Sequence, residues 1–337
     1  MRERRQQQQP TWSKALSLVL AVILIAMGIG LFYGYTVFQK LTNFGSGSQT
    51  TTSTTSAITI RVPEDAKTLS EALTQADDGD TIVLAAGTYS DPIVDNGLNV
   101  GVGIHKALTI QGAGRDKTIL DGKLKSQHGI YIPQIDKKIV VKDMTVQNFA
   151  GNGAEIYGAN VTVSGVTFKN NQNRGVALHF SSRESVFKNN IITGSKFTGL
   201  YTEKAAVQIF NNTLVGNGDT GIHIVVADTD PAGTAPTIYN NIVGVNTSYG
   251  ILYEHPAFTE KVTVDHNDVY GNKNNYFENL NNEKTKTRAT TPKPGTGSLS
   301  AVPQFADTAT YKLAETSTLK TAGREGAEIG AYGGLPK

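Results

Sequence analysis

Tyrosine, histidine and glutamate recur at fixed positions behind a series of glycines, and these residue types can bind sugars and transfer protons. Aromatic rings stack on pyranose faces, and carboxylates, phenols and imidazoles bond to sugar hydroxyl groups. The candidate substrate-binding residues are Tyr131, Glu155, Tyr157, Glu203 and Glu254. An ordinary exposed face of a sheet is the alternative interpretation, because tyrosine is itself favoured in strands.

A reaction by proton transfer is the more demanding hypothesis for the same residues. Lyases and epimerases that act on uronic acids need a base, a proton donor and a group that neutralises the carboxylate. Tyr201, His179 and His223 are the candidate catalytic acids and bases, and Lys204 is the candidate neutralising cation.

A glycosidase would instead need two carboxylates, one on each side of the scissile bond. Glu203 and Glu254 occupy equivalent positions two repeats apart, which is about 9.6 Å at the usual spacing of neighbouring strands. An inverting glycosidase requires about 6.5 to 9.5 Å between its carboxylates. Inverting hydrolysis is therefore the least favoured of these reactions.

Three series of residues in register show that the middle of the chain is a structural repeat. The glycines that precede the candidate residues are separated by 24, 22, 24, 22 and 29 positions. Two further series run in step with the glycines, at intervals of 22, 24, 22, 29 and 26 positions, so that each unit reads as strand, turn, strand, turn. The glycines are Gly129, Gly153, Gly175, Gly199, Gly221 and Gly250. The second series is Asp143, Gly165, Asn189, Asn211, Asn240 and His266, and the third is Phe149, Asn171, Ser195, Asn217, Asn246 and Asn272.

One repeat is too short for a helix and its crossover, and its pattern is that of strands. Apolar and polar residues alternate between Val161 and Asn171, which is typical of a strand with one face on a core. We therefore expect stacked coils with Ile130, Ile132 and their equivalents inward and the candidate residues outward. Asparagine and glycine at the corners tolerate left-handed backbone angles, and aligned asparagines can bond from coil to coil.

The repeat resembles the right-handed parallel β-helix superfamily, which includes pectate lyases and other carbohydrate-binding or sugar-cleaving proteins. The motifs that carry the resemblance are FNNTLVGN, YNNIVGVN and DHNDVYGN, which begin at Phe210, Tyr239 and Asp265. The resemblance covers about Ile58 to Gly334, from a start that is similar to the family's short capping helix to a closing segment, EIGAYGG. It implies an all-β, single-stranded right-handed parallel β-helix, or solenoid, that engages a polysaccharide.

The family's known catalytic patterns are not recognisable in this chain. The clustered aspartates of polygalacturonases are missing from the outward columns, as are the calcium-binding aspartates and catalytic arginine of pectate lyases. His266 is interpreted as a structural residue of the corner ladder. Calcium is the one cofactor that the sequence suggests, at Asp228 and Asp230, within an insertion that is otherwise a surface loop.

The N-terminal residues predict a single membrane anchor. Residues 15–38 are uncharged and mainly apolar, which is long enough to span a bilayer. The basic residues of the segment 1–14 keep that end in the cytoplasm, so a linker at 39–57 and the β-helix at 58–337 lie outside the cell membrane. Secretion after cleavage of a signal peptide is the alternative.

The composition of the chain limits the partners that it can bind and the interactions that can stabilise its fold. Of 31 basic and 29 acidic residues, the first 40 positions hold five and one, so 26 and 28 remain beyond them. This balance argues against nucleic acid as a partner. Cysteine is absent, which excludes disulfides and thiolate metal sites.

Two functions are compatible with the sequence. The first is a membrane-anchored module that binds a cell-surface or environmental polysaccharide without changing it. The second is a polysaccharide lyase or epimerase that acts on uronic-acid polymers. The missing catalytic patterns favour the first, and the grouping of Tyr201, His179 and His223 on adjacent coils favours the second.

Overall fold

A computed structural model describes residues 56–179, 182–226, 235–254, 262–279, 289–290 and 293–334. The described residues form a right-handed parallel β-solenoid of three sheets, which contain nine, eight and ten strands. Each coil contributes one short strand to each sheet, as the repeat predicts. The predicted anchor at 15–38 lies outside the described residues.

The strands of each sheet follow one another at intervals of one coil. The first sheet contains β1 (Thr59–Val62), β2 (Thr81–Leu84), β6 (Thr109–Gly112), β9 (Asp136–Lys142), β12 (Ala159–Ser164), β15 (Val186–Lys188), β18 (Gln208–Phe210), β21 (Thr237–Tyr239) and β24 (Thr263–Asp265). The second contains β3 (Gly87–Tyr89), β7 (Thr118–Asp121), β10 (Thr145–Gln147), β13 (Thr167–Lys169), β16 (Ile191–Thr193), β19 (Thr213–Val215), β22 (Ile242–Gly244) and β25 (Asp268–Tyr270). The third contains β4 (Ile93–Asp95), β5 (Leu98–Gly103), β8 (His128–Ile132), β11 (Ala154–Ile156), β14 (Val176–Leu178), β17 (Leu200–Glu203), β20 (Thr220–Val225), β23 (Tyr249–Glu254), β26 (Asn274–Asn279) and β27 (Ala289–Thr290). Neighbouring strands pair in parallel, except β4 with β5 and β26 with β27 at the two ends of the third sheet.

The glycine series marks the start of six strands of the third sheet, from β8 to β23, where the coils approach too closely for a side chain. A Cβ atom on Gly175 would lie 2.7 Å from the carbonyl oxygen of Gly199 on the next coil. A Cβ atom on Gly199 would lie 2.8 Å from the carbonyl oxygen of Gly221. The period in the sequence is therefore a consequence of close stacking between successive backbones.

The second series lies at the corners between the first and second sheets, and all six residues have positive φ. The angles are 60° at Asp143, 66° at Gly165, 55° at Asn189, 52° at Asn211, 56° at Asn240 and 48° at His266. Asparagine, aspartate and glycine tolerate this left-handed conformation best, which explains their recurrence there.

The predicted asparagine ladders are present, one at each of two corners. Along the first, the backbone N–H groups of Asn190, Asn212 and Asn241 donate to the side-chain oxygen of the asparagine one coil further on, at 2.9 Å. The residue in this ladder is the one after the left-handed position, so His266 is not part of it, contrary to our expectation. His266 instead bonds through Nδ1 to Asp265 at 2.8 Å, and Asn267 continues the ladder. The second ladder joins Asn217, Asn246 and Asn272.

The solenoid core consists of the inward side chains of the three sheets. The predicted inward residues Ile130, Ile132, Ile222 and Ile224 are all fully buried. Valine, isoleucine and leucine fill most of the core, because parallel strands with both faces covered favour branched apolar residues.

The short helix expected near the start of the solenoid is α1 (Leu69–Gln75). Thr68 caps its N-terminus, since the hydroxyl oxygen accepts from the backbone N–H of Glu71 at 3.1 Å. Leu69 and Ala72 are buried against the core. That the helix closes the end of the core stays a prediction. Across the described residues, no helix has the length and apolar character needed to span a membrane.

The C-terminal segment lies on the outward face of the second sheet and is held by the left-handed corner residues. It contains the two-stranded pair β28 (Phe305–Asp307) and β29 (Lys312–Leu313) and two 3-10 turns, Thr318–Lys320 and Arg324–Gly326. The amides of Asn189 and Asn211 donate to the carbonyl oxygens of Gly333 and Glu328, both at 2.7 Å. Apolar residues of the second sheet and of the C-terminal segment pack against each other at this contact: Val215, Ile242, Tyr270, Leu313, Leu319 and Ile329.

Asp268 lies on β25, and we expect Asp268→Asn to stabilise the protein at neutral pH by about 1 to 2 kcal/mol. Asp268 is fully buried and accepts from the N–H of Ala301 at 2.8 Å, while its Oδ2 has no hydrogen-bond partner among the described residues. Burial raises the pKa of Asp268 to about 6. Since this exceeds the ordinary value near 4, the wild type loses stability as the pH rises from about 4 to about 6.

Urea unfolding between pH 3.5 and 7 measures this difference, with the exposed Asp91→Asn as the matched control. The gain from Asp268→Asn should shrink towards zero at the acidic end, because the wild-type carboxyl is then neutral in both states. A gain that does not change with pH would contradict the assignment.

Candidate functional site

The outward face of the third sheet carries the candidate residues in the two predicted columns. Strand pairing puts Tyr131 beside Glu155, Tyr201 beside His223, and Glu203 two strands from Glu254 with Val225 between them. We call the following eight residues the strip: Tyr131, Glu155, Tyr157, His179, Tyr201, Glu203, His223 and Glu254. Because inward neighbours such as Ile130 and Ile222 are locked in the core, the alternation of each strand fixes these side chains outward.

Glu155 is the hydrogen-bonding centre of the strip. Its Oε1 accepts from the Tyr157 hydroxyl at 2.9 Å and lies 2.8 Å from Nε2 of His179, and its Oε2 accepts from the amide of Asn152. Burial alone would raise the pKa of Glu155, but the His179, Asn152 and Tyr157 contacts outweigh burial and lower it. Glu155 is therefore an ionised carboxylate at neutral pH.

His179 lies between two carboxylates. Its Nε2 faces Glu155, and its Nδ1 is 3.4 Å from Oε2 of Glu203. Its ring stacks on Tyr157 with centroids 4.3 Å apart and planes 10° from parallel. The ring is thus oriented by contacts on both edges and one face, with Nε2–H directed to Glu155 and Nδ1 on the side of the more exposed Glu203.

Tyr201 lies on β17, next to the strand of His179, with 6.0 Å between the two ring centroids. The guanidinium carbon of Arg174 lies 4.0 Å from the centre of the Tyr201 ring. Burial and the neighbouring Glu203 carboxylate raise the pKa of Tyr201 to about 12. The hydroxyl of Tyr201 therefore stays protonated near neutral pH and can act as a proton donor.

His223 and Glu254 form a second histidine–carboxylate pair on the next two strands. Nε2 of His223 lies 3.3 Å from Oε1 of Glu254. The His223 ring meets the Tyr201 ring edge to face, with centroids 5.3 Å apart. Imidazole, phenol and carboxylate groups therefore alternate along four adjacent strands.

The tyrosine rings in the middle of the strip are already engaged by other side chains. One face of Tyr157 is covered by His179, and one face of Tyr201 is covered by Arg174. Stacking on a sugar ring is correspondingly restricted, and the hydroxyl, imidazole and carboxylate groups dominate what the strip offers. The arrangement is thus better suited to hydrogen bonding and proton transfer than to an aromatic platform.

The structure places the other candidate residues at the margins or outside the described residues. Lys204 follows β17 in a left-handed turn, with φ of 51°. Asp228 and Asp230 lie outside the described residues, so the calcium hypothesis stays a prediction. In the part of the chain that the structure describes, no group of three or more histidine, aspartate or glutamate side chains is arranged to hold a metal ion.

Two residues of the site were missed by the sequence interpretation, Asn152 and Arg174. Each directly precedes a glycine of the repeat, Gly153 or Gly175, and each contacts the strip, at Glu155 or Tyr201. The alternation of inward and outward residues was applied only to the positions after each glycine. The signal that could have found them is the same spacing read one residue earlier.

The family described as right handed beta helix region matches residues 128–290, which include every strand that carries the strip. A comparison with curated proteins gave no match.

Three solved structures show a similar coil. The pectate lyase Pel9A is 14% identical, with 78% of this chain and 90% of that chain covered and a TM-score of 0.46. A pectin methylesterase in complex with a hexasaccharide is 12% identical, with coverage of 79% and 94% and a TM-score of 0.40.

The third structure is the periplasmic alginate epimerase AlgG, at 13% identity and a TM-score of 0.43, with 72% of this chain and 54% of that chain covered. This chain therefore spans about half the length of that epimerase. At these identities the likeness concerns the fold alone. Within the matched span, the described residues form the right-handed parallel β-helix that the repeat in the sequence predicts.

Proposed function

We propose that this protein binds an acidic polysaccharide along the strip and transfers protons at a uronic acid unit, as a lyase or an epimerase does. The observation that carries the proposal is the position of His179 between Glu155 and Glu203, beside the protonated phenol of Tyr201. An acceptor and a donor of protons held on adjacent strands are what such a reaction requires.

In this proposal His179 removes the proton from the sugar carbon next to the carboxylate. Its Nε2–H is held by ionised Glu155, so Nδ1 is the nitrogen that takes up the proton. The carboxylate of Glu203, 3.4 Å from Nδ1, stabilises the imidazolium that results. Glu155 is thus a positioning residue, and His179 is the base.

Tyr201 then supplies a proton. In an elimination the proton goes to the leaving glycosidic oxygen, and in an epimerisation it returns to the opposite face of the same carbon. Neutralisation of the uronate carboxylate falls to Arg174, which lies over the Tyr201 ring, together with Lys204 at the end of the same strand as Tyr201.

The proposal includes a location outside the cytoplasmic membrane, where polysaccharides are met. It rests on the apolar residues 15–38 and the basic residues before them, as argued from the sequence. Recovery of the intact chain with the membrane fraction would support the anchor. A shortened, freely secreted chain would instead support cleavage of a signal peptide.

Binding without turnover is the second candidate function, and one observation favours it. The side chains of His179 and Glu155 are only 12% and 10% exposed and are bonded to each other. Such a pair can serve to fix the strip in shape, leaving the more exposed Glu203 and Glu254 to bond to sugar hydroxyls.

An assay of the full chain against polygalacturonate, alginate and a neutral glucan tests the proposal. We expect unsaturated ends or altered C5 configuration with the acidic polymers only, and a loss of about a hundredfold in rate in Tyr201→Phe. Tyr239→Phe is the matched control, because Tyr239 lies on β21 of the first sheet, where it packs on Phe210. Binding of acidic polymers without product would leave the second candidate, and no binding to any polymer would contradict both.

A further inference from the structure

A second candidate cavity lies on a different sheet from the strip. It measures about 810 Å³ and is bounded by the outward face of β7, β10, β13 and β16 and by the C-terminal segment at residues 308–311 and Tyr332. Sites for small ligands commonly enclose about 300 to 1,000 Å³. The cavity is therefore of a size that holds a sugar unit or a short oligosaccharide.

The face of the second sheet changes character where this cavity begins. Under the C-terminal segment the outward side chains are apolar, as at Val215 and Ile242. Within the cavity polar and apolar residues share this face, since the register aligns Thr145 with Thr167 and places Ile119 and Ile191 on either side of them. The outward residues of the next row are also aligned across three strands: Gln147, Lys169 and Thr193. The segment thus covers the apolar strands and leaves exposed a face suited to hydroxyl groups.

The charge at the cavity is positive, although Tyr332 and the carboxylate of Asp143 also interact with Arg115. Arg115 and Lys169 line it, against one acid, Asp116. Nη2 of Arg115 donates to the carbonyl oxygen of Asn189 at 2.6 Å, while its Nη1 is buried with no hydrogen-bond partner among the described residues. Burial lowers the pKa of Arg115, so an anion beside the guanidinium would offset its lost hydration. A carboxylate matches the geometry of a guanidinium best.

Two tyrosines complete the boundary of the cavity. The hydroxyl of Tyr311 lies 3.1 Å from that of Thr193. The ring of Tyr332 is 38% exposed, and its centre is 5.2 Å from the guanidinium carbon of Arg115. Aromatic surface, hydroxyl groups and cations side by side are the complement of a sugar that bears a carboxylate.

We infer that this cavity is a second saccharide site, which binds a carboxylate-bearing sugar unit through Arg115 and Lys169 and its hydroxyls through the threonines and tyrosines. The site is independent of the reaction proposed at the strip. It would hold an acidic polymer at a second point on the solenoid, so that the two sites together raise the local concentration of the chain's ligand.

Calorimetric titration of the full chain with trigalacturonate tests this inference, in a His179→Gln, Tyr201→Phe background that removes turnover at the strip but leaves its binding residues in place. We expect two binding sites, one of which loses at least tenfold in affinity in Lys169→Glu and in Arg115→Gln while the other is unchanged. Lys169 is exposed, so its variant should fold normally even if Arg115→Gln does not. Lys138→Glu, an exposed lysine of the first sheet, is the matched control and should bind as before.

Hydrogen exchange identifies the place of binding. The bound trisaccharide should slow amide exchange at residues 308–311, where the C-terminal segment borders the cavity. Equal affinity for neutral maltotriose, unchanged affinity in Lys169→Glu, or unchanged exchange at 308–311 would each overturn the inference. Turnover at the strip is assayed separately, so failure of one site leaves the other open to test.

Discussion

Replacing Asn212 by alanine is expected to lower the free energy of unfolding by about 3 to 5 kcal/mol. The Asn212 side chain is fully buried, and its oxygen accepts from both the N–H and the amide of Asn190 at 2.9 and 3.0 Å. Its amide donates to Asn241 and to the carbonyl oxygen of Phe187. Alanine removes all of these bonds and leaves several buried polar groups unpaired, each at a cost of about 1 to 3 kcal/mol.

Urea unfolding followed by circular dichroism measures this loss, and Asn99→Ala provides the matched control. Asn99 is an exposed asparagine of β5, so the same change there should alter stability by less than about 0.5 kcal/mol. Equal effects of the two substitutions would show that the asparagine ladder contributes little to the stability of the coil.

The coil could be predicted from the sequence because its constraints repeat with every turn. Gly175 and Gly199 have no space for a Cβ atom, and Asn189 and Asn211 occupy left-handed corners, so the same residue types return at the same interval. Such a repeat predicts the length of each coil, and it also predicts which side chains point inward and which point outward. The predicted register of the strip, including Tyr201 beside His223, is confirmed for that reason.

Other features depend on contacts that a repeat does not encode. The ladder residue at the first corner is the one after the left-handed position, because only there does the side chain turn back under the coil. Arg174 covers Tyr201 from a position before the glycine. The C-terminal segment joins parts of the chain more than 100 residues apart, as in the bond from Asn211 to Glu328. These contacts arise from how elements meet, and no spacing in the sequence specifies them.

The position of each group on the solenoid also explains how a polar cluster is tolerated. Glu155 and His179 are nearly buried, and a buried ionised carboxylate is costly unless it is paired and hydrogen-bonded. Contacts with Asn152, Tyr157 and His179 supply the hydrogen bonds of the Glu155 carboxylate. The carboxylate of Glu203 lies beside the second nitrogen of His179. The groups of the cluster therefore hold one another in place on a rigid sheet, and this is the condition for keeping a base in a fixed orientation.

His179→Gln is expected to lower the turnover of acidic polymers by about a thousandfold or more, with little change in KM. Glutamine is close in size and its amide can still donate to Glu155, so the strip keeps its shape, but it accepts no proton at the position of Nδ1. A loss in kcat alone is the signature of a group that acts only in the transition state. Steady-state kinetics with the polymer that the full chain converts measures both parameters.

The matched control for this substitution is His105→Gln, because His105 also pairs with a carboxylate, that of Asp95 at 2.7 Å, but lies outside the strip. It should retain the wild-type rate. If His179→Gln keeps full turnover, the base lies elsewhere, and His223 beside Glu254 becomes the group to replace next. If His179→Gln instead raises KM in proportion to its loss of rate, the residue binds the polymer and the strip is a binding surface.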